Sequence, residues 1–554
     1  MNLRHLTLFW LCCISLATFS VRPVRHILIK DETGKTIVLA YDKATHATEN
    51  IPTCFPSSRQ SISTRAFNAI EENGLGRYGQ SAAGILPSIG APKIPIIMVE
   101  FQDVAFQTTT TPELLSRYFN EKGFNVDKGW GGSVKDYFED QSYGLFSPSF
   151  EVVGKVKLPK NRKYYGENVG NSAHINVEEF YHSAVELMLQ QENHFRAFEH
   201  QQKIPLVILF FAGASENSAK ESGRENYLWS AFKESPFTVA NKTFESYLVT
   251  GELINYYKSE SGKPLMDAQN NPIIDHAALE GPGVKCHEIC HALGLPDAYD
   301  TQNLYWETPD YLDLMDYGQY AMDIGERPIG LSAYERNCLG WLNLLQLDDS
   351  TAVYSLSPLN ALHQATATKT AAQAFLLRNH SSEKEYFVFE NRQPSTWFPS
   401  ELGSGMLVYH IDYAEDNWRS NRVNVDGHQQ RYEIIPADGI KATHDKLAIN
   451  DFQASFFPGS KRISLFSPRG TQKVLWNSGE ESPAICSISI KEGTNDVIFS
   501  LSEHIATGIQ SHNNLFLPKL EGDCFYDLQG KMLRHPQRGN IYLRHGQKIL
   551  YFHH

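Results

Sequence analysis

The segment Gly283-Val-Lys-Cys-His-Glu-Ile-Cys-His-Ala-Leu-Gly-Leu-Pro-Asp297 sets two histidines four residues apart with a glutamate directly after the first. That spacing is about one helical turn, so on a helix His287 and His291 project from the same face and can grip one metal ion. Glu288 lies beside the first ligand, where its carboxylate can reach a water activated by the metal without taking a coordination position. Gly294 can end the helix in the left-handed conformation and turn the chain back. Pro296 forbids continuation, and Asp297 then arrives as an acidic third ligand. Two histidines and one carboxylate leave a fourth position open, the pattern of a catalytic zinc; a structural zinc would close it. The competing reading is a core helix whose histidines are satisfied by hydrogen bonds.

Elements on either side must hold this segment in place. The chain of 554 residues is 42% hydrophobic and 20% charged, which excludes a mainly disordered or fibrous protein. Its 50 Lys and Arg against 63 Asp and Glu give a net charge of -13 without a dense basic run, so nucleic acid is not an expected partner. Ile94 to Phe101 and Ile204 to Ala212 are continuous apolar runs of buried-strand type. Ser133 can cap a helix whose Val134, Tyr137 and Phe138 share a face, and Val177 to Leu189 repeats that spacing. Strands alternating with helices predict an α+β domain over 91–347. From residue 348 to 503, short strand-like runs (Phe375 to Leu377, Tyr386 to Phe389, Met406 to Tyr413, Glu433 to Ile435, Val497 to Leu501) split by turn residues predict an antiparallel β-sandwich-like domain. A small β tail of hairpins is expected over 504–554.

The chain opens with a basic tip, Arg4, and an apolar run from Leu6 to Ser20 that is shorter than the ~20 residues a membrane span needs. This predicts a signal peptide over 1–20, export, and no transmembrane anchor after its removal. Residues 21–90 read as a propeptide and linker, with a strand pair (Arg25 to Ile29, Thr36 to Tyr41) around Glu32-Thr33-Gly34. Of the eight cysteines, Cys12 and Cys13 leave with the signal. Cys54 is a candidate latency thiol in the propeptide. Cys286 and Cys290 sit on a face about 100° from the histidines and read as buried small residues, with a disulfide from either to Cys338 as the alternative.

His287-Glu288-xx-His291-xx-Gly294-xx-Asp297 resembles the zinc signature of the immune inhibitor A family of secreted metallopeptidases, a metzincin-like group with aspartate as third ligand. Ile94 to Asp103, Ser133 to Phe150, Leu158 to Gly166, Pro205 to Gly213, Leu295 to Asp300 and Pro328 to Leu342 look like that family's catalytic domain. Asn391-Arg392-Gln393 and Gly405 to Asp412 look like its following β domain. The resemblance covers about two thirds of the chain and implies a zincin-type catalytic fold. Leu312-Asp-Leu-Met-Asp-Tyr-Gly318 resembles the Met-turn, which makes Met315 the floor of the metal site and puts Tyr317 where some metzincins keep a tyrosine that ligates zinc or bonds the tetrahedral intermediate. Asp313 and Asp316 remain alternative carboxylates for the third position. Ser332 with Glu335 forms a capping box that predicts a helix packed under the site.

The expected activity is therefore that of a secreted or cell-surface zinc endopeptidase acting on proteins or peptides, with Glu288 as general base. A zinc exopeptidase, and a surface adhesin or glycan-binding protein on a degenerate zincin scaffold, are the rivals; no motif residue is missing, which weighs against the last. Nothing in the sequence assigns a calcium site. His410 and Asp412 share one face of a strand, with His428 further on, and read as a hydrogen-bonded sheet face or a second metal site. The tail from Phe525 is similar to short C-terminal sorting regions of type IX secretion cargo, which implies that secretion machinery as a partner.

Overall fold

The computed structural model describes residues 84–502, apart from short internal segments, with strands at 26–30, 36–40, 525–526, 532–533, 541–544 and 547–550. The expected signal, Cys54 and His428 lie outside the described residues. The early hairpin is present: β1 (His26–Lys30) pairs antiparallel with β2 (Thr36–Ala40).

Next come β3 (Lys93–Glu100), β4 (Ser149–Lys157), β5 (Lys203–Ile204), β6 (Val207–Ala214), β7 (Ala231–Val239), β8 (Lys242–Tyr257), the small hairpin β9 (Ser259–Glu260) and β10 (Lys263–Pro264), and β11 (Ile274–Leu279). Seven of these form one sheet in the order β11-β8-β6-β3-β4, with β5 and β7 also paired to the long β8. β4, β3, β6 and β8 run parallel, while β7 and β11 are antiparallel to β8. Strand side chains alternate between faces, so a strand covered on both sides must be apolar throughout. On β3 and β6, Ile97, Val99, Val207, Leu209 and Phe211 enter one core, while Ile94, Ile96, Met98, Ile208 and Phe210 enter another.

Three helices pack on this sheet. α1 (Pro112–Asn120) starts at Thr111, whose hydroxyl accepts from Leu114 N–H at 3.2 Å. α2 (Val134–Gln141) starts with a capping box between Ser133 and Asp136 and buries Val134, Tyr137 and Phe138. α3 (Val177–Gln191) turns Phe180, Ala184 and Val185 into the first core. The motif helix α4 (Gly283–Leu293) lies in the second core with all its residues buried. α5 (Ala333–Cys338) begins with the expected capping box of Ser332 and Glu335.

Beyond α5 the chain forms β12 (Leu345–Gln346), β13 (Val353–Leu356), β14 (Ala371–Ala372), β15 (Ala374–Asn379), β16 (Ser382–Arg392), β17 (Gly405–Asp412), β18 (Tyr432–Ile434), β19 (Ala484–Ile490) and β20 (Val497–Ser502). They make a five-stranded sheet, β12-β15-β16-β17-β18, and a four-stranded one, β14-β13-β20-β19. Pairing is antiparallel except at the two-residue strands β12 and β14, which run parallel to their neighbours. Phe375, Phe387, Phe389 and Val408 share a core with Tyr354, Ile485 and Phe499 of the second sheet. The alternate residues Leu376, Val388, Leu407 and Tyr409 face the other way and join the core that holds α4. The boundary expected at 347/348 therefore falls inside one compact unit that extends to Ser502. The second unit, Glu503–His554, holds its own four-stranded antiparallel sheet: β21 (Phe525–Tyr526), β22 (Met532–Leu533), β23 (Ile541–Arg544) and β24 (Gln547–Leu550), in the order β22-β21-β23-β24.

Candidate metal centre

α4 stops where its glycine permits. Gly294 has φ +103°, a conformation side chains rarely adopt, and Leu295 N–H returns to Cys290 O at 3.0 Å. This turn brings Asp297 back over the helix face that carries the histidines. His287 Nε2, His291 Nε2 and Asp297 Oδ1 form a triangle with edges of 3.1, 3.2 and 3.2 Å. All three residues and Glu288 are 0% exposed.

The far side of each ring fixes its tautomer. His287 Nδ1 lies 2.8 Å from Leu314 O and His291 Nδ1 lies 2.8 Å from Leu295 O, so Nδ1 carries the proton and Nε2 keeps its lone pair. Asp297 Oδ1 is then a buried acceptor that receives no hydrogen bond. Three lone-pair atoms packed this closely repel one another unless a cation sits among them. Nitrogen and oxygen ligands at about 2.0–2.1 Å from a tetrahedral zinc lie roughly 3.3 Å from each other, which is the edge length of this triangle. The donor set fits zinc. Burial disfavours the charge on Asp297, but the two imidazoles against it hold its carboxyl below the usual range.

Glu288 accepts from the main-chain N–H of Phe232 on β7 at 2.6 Å through Oε2, while Oε1 is buried without a partner. Burial pushes its carboxyl up to about 8; the charge on Asp297 adds to this, and His287 and the Phe232 N–H oppose it. A cation at the triangle would pull it back down.

Among the described residues, the one group of three or more His, Cys, Asp or Glu that could hold a metal is His287, His291 and Asp297. The alternative carboxylates are engaged elsewhere: Asp313 accepts from Met315 N–H at 2.8 Å and from the Tyr432 hydroxyl, and Asp316 accepts from Asp310 N–H at 2.8 Å. Met315 is buried, and its carbonyl accepts from Ala298 N–H at 2.8 Å, which ties the segment around Met315 to the residue that follows Asp297. Tyr317 opens the short helix Tyr317–Tyr320 and is 3% exposed, its ring 5.9 Å from that of Tyr311 and 6.3 Å from that of Tyr320.

His410 and Asp412 do not make a metal group. Both nitrogens of His410 are bonded to carboxylates, Glu385 at 3.0 Å and Glu433 at 3.1 Å, and Asp412 pairs with Arg431. Cys286, Cys290 and Cys338 are free and buried, so the disulfide alternative is not formed. Burial pushes the thiols of Cys286 and Cys290 well up, which makes them inert packing groups. Spacing alone missed Phe232, Leu295, Leu314 and Asn421. The first three act through main-chain atoms, which any residue type supplies, and Asn421 lies 124 residues from the aspartate it bonds.

Residues 243–342 match the family model of the immune inhibitor A peptidase M6 catalytic domain. The chain is also 26% identical over 298 residues to the pre-pro-metalloprotease PrtV of Vibrio cholerae serotype O1, strain M66-2, and equally so to the same protein of strain El Tor Inaba N16961. The alignment takes in 46% of this chain but 31% of those relatives, so the chain spans about a third of their length. The segment that holds His287, Glu288, His291 and Asp297 is thus similar to the immune inhibitor A peptidase M6 catalytic domain.

Proposed function

We propose that this protein is a secreted zinc-dependent endopeptidase that hydrolyses peptide bonds in proteins. The observation that carries the reading is the triangle of unprotonated ligand atoms with the unpartnered Oε1 of Glu288 beside it. His287, His291 and Asp297 would hold the zinc. Bound there, zinc would supply Lewis acidity, making water acidic near neutral pH and polarising the scissile carbonyl. Glu288 takes the proton of the attacking water on Oε1, with Oε2 pinned by Phe232, and returns it to the leaving amine. Tyr317 is assigned to the oxyanion of the tetrahedral intermediate.

Export is supported by the Leu6–Ser20 run, and no helix among the described residues is long and apolar enough to cross a membrane. The test uses the purified chain on casein and on peptides with both termini blocked. Cleavage that is lost with a chelator, restored by zinc and absent in Glu288→Ala supports the reading. Cleavage limited to free termini makes the protein an exopeptidase. Full activity in Glu288→Ala overturns the mechanism.

A further inference from the structure

The third ligand is held by a residue from far downstream. Asn421 follows the short helix α6 (Glu415–Arg419), between β17 and β18, and is 1% exposed. Its Oδ1 accepts from the main-chain N–H of Asp297 at 2.7 Å, and its Nδ2 donates to Asp297 Oδ2. The two bonds close a ring between one amide and one aspartate. Rotation of the carboxylate would break one of them, so Oδ2 stays with Asn421 and Oδ1 stays turned to the two Nε2 atoms. The amide does this without charge of its own, so it does not compete with a cation for the aspartate as a lysine or arginine would.

Asn421 is itself fixed. It has φ +54°, a left-handed conformation that asparagine tolerates better than most residues, and its carbonyl accepts from the Thr301 hydroxyl at 2.8 Å. Three residues on, Asn424 donates to Ala298 O at 2.7 Å. One loop of the downstream β region thus grips the segment 297–301 at both ends.

We infer that Asn421 is the positioning residue of the metal centre: it orients Asp297 for single-oxygen ligation, and the β region completes the site that the motif helix begins. This deepens the zinc-peptidase reading and rests on it. Outer groups that orient a metal ligand typically change affinity by about 10–100-fold when removed.

The test measures zinc binding on the full chain by competition with a chromogenic chelator, together with the visible spectrum of the cobalt-substituted protein. Two variants keep the left-handed backbone: Asn421→Gly removes the side chain, and Asn421→Asp keeps the acceptor for Asp297 N–H while facing Oδ2 with a carboxylate in place of a donor. The expected result is zinc affinity about 10–100-fold weaker in both and an altered cobalt spectrum, read on variants whose metal-free far-UV circular dichroism matches wild type even where their melting temperature is lower; Asn421→Asp carries the test if Asn421→Gly does not fold. Wild-type affinity and spectrum in a folded variant overturn the role of Asn421 and leave the zinc reading intact. If the wild-type chain binds no zinc, or binds it equally well as Asp297→Ala, the zinc reading falls and this inference falls with it.

Discussion

The main-chain N–H of Phe232 donates to Glu288 Oε2 at 2.6 Å, so the candidate general base on α4 is anchored by the sheet strand β7. One carboxylate oxygen is spent on a fixed donor, and the other has no partner. A base held this way needs no reorientation before it accepts a proton.

Glu288→Gln keeps the shape and the bond from Phe232 but removes the basic oxygen. Hydrolysis of a fluorogenic peptide should fall by about 10²–10⁴-fold. Metal content should stay at the wild-type level, because Glu288 is not a ligand. A variant that loses its metal along with its activity would show that Glu288 holds the site together and does not act as the base.

The local part of this site was legible because helix geometry turns a four-residue spacing into a shared face, and because Gly294 and Pro296 mark where the helix must end. β3 and β6 were legible for a similar reason: a strand buried on both faces has no polar positions. What stayed hidden is long-range or main-chain. The bond from Asn421 to Asp297 has no sequence period, and the Phe232 N–H has no side-chain signature. The change of texture near residue 348 is real, but one face of the five-stranded sheet packs into the core around α4, so composition shifts there without a break in packing.

Tyr432 on β18 donates its hydroxyl to Asp313 Oδ2, two residues before Met315, and the same hydroxyl pairs with Ser332 Oγ at 2.8 Å. Burial already pushes the Asp313 carboxyl up to about 6, against the pull of that hydroxyl. Tyr432→Phe leaves two buried polar groups short of a partner and should lower stability by about 1–3 kcal/mol. Urea unfolding at constant m-value measures it; a midpoint equal to wild type would mean that water replaces the hydroxyl at no cost.

Residues 84–90, which the sequence assigns to the propeptide and linker, pack against the site's own helix. Leu86 N–H donates to Ala292 O at 3.0 Å, the Trp341 indole donates to Ser88 O at 2.6 Å, and Leu86 is 4% exposed. A side chain at Gly84 would meet Ala292 O at 2.2 Å, so the backbone there lies directly on the end of α4. Processing that yields an active enzyme should cut at or before Gly84. N-terminal sequencing of the active species checks this, and a start at residue 91 with full activity contradicts it.

His410 on β17 lies between Glu385 on β16 and Glu433 on β18, is 4% exposed, and has Phe387 as its ring neighbour at 5.0 Å. Burial alone would lower its pKa, but the bonds to both carboxylates outweigh it and raise the pKa from 6.5 to about 9. A folded-state pKa above the unfolded one means that the imidazolium stabilises the fold fully below pH 6.5, and that this contribution disappears as pH rises through 9. A shift of that size corresponds to stability on the order of 3 kcal/mol. Unfolding free energy measured across this range should fall more steeply for the wild type than for His410→Gln, in which position 410 cannot titrate. Parallel profiles for the two proteins would mean that His410 is neutral between its carboxylates.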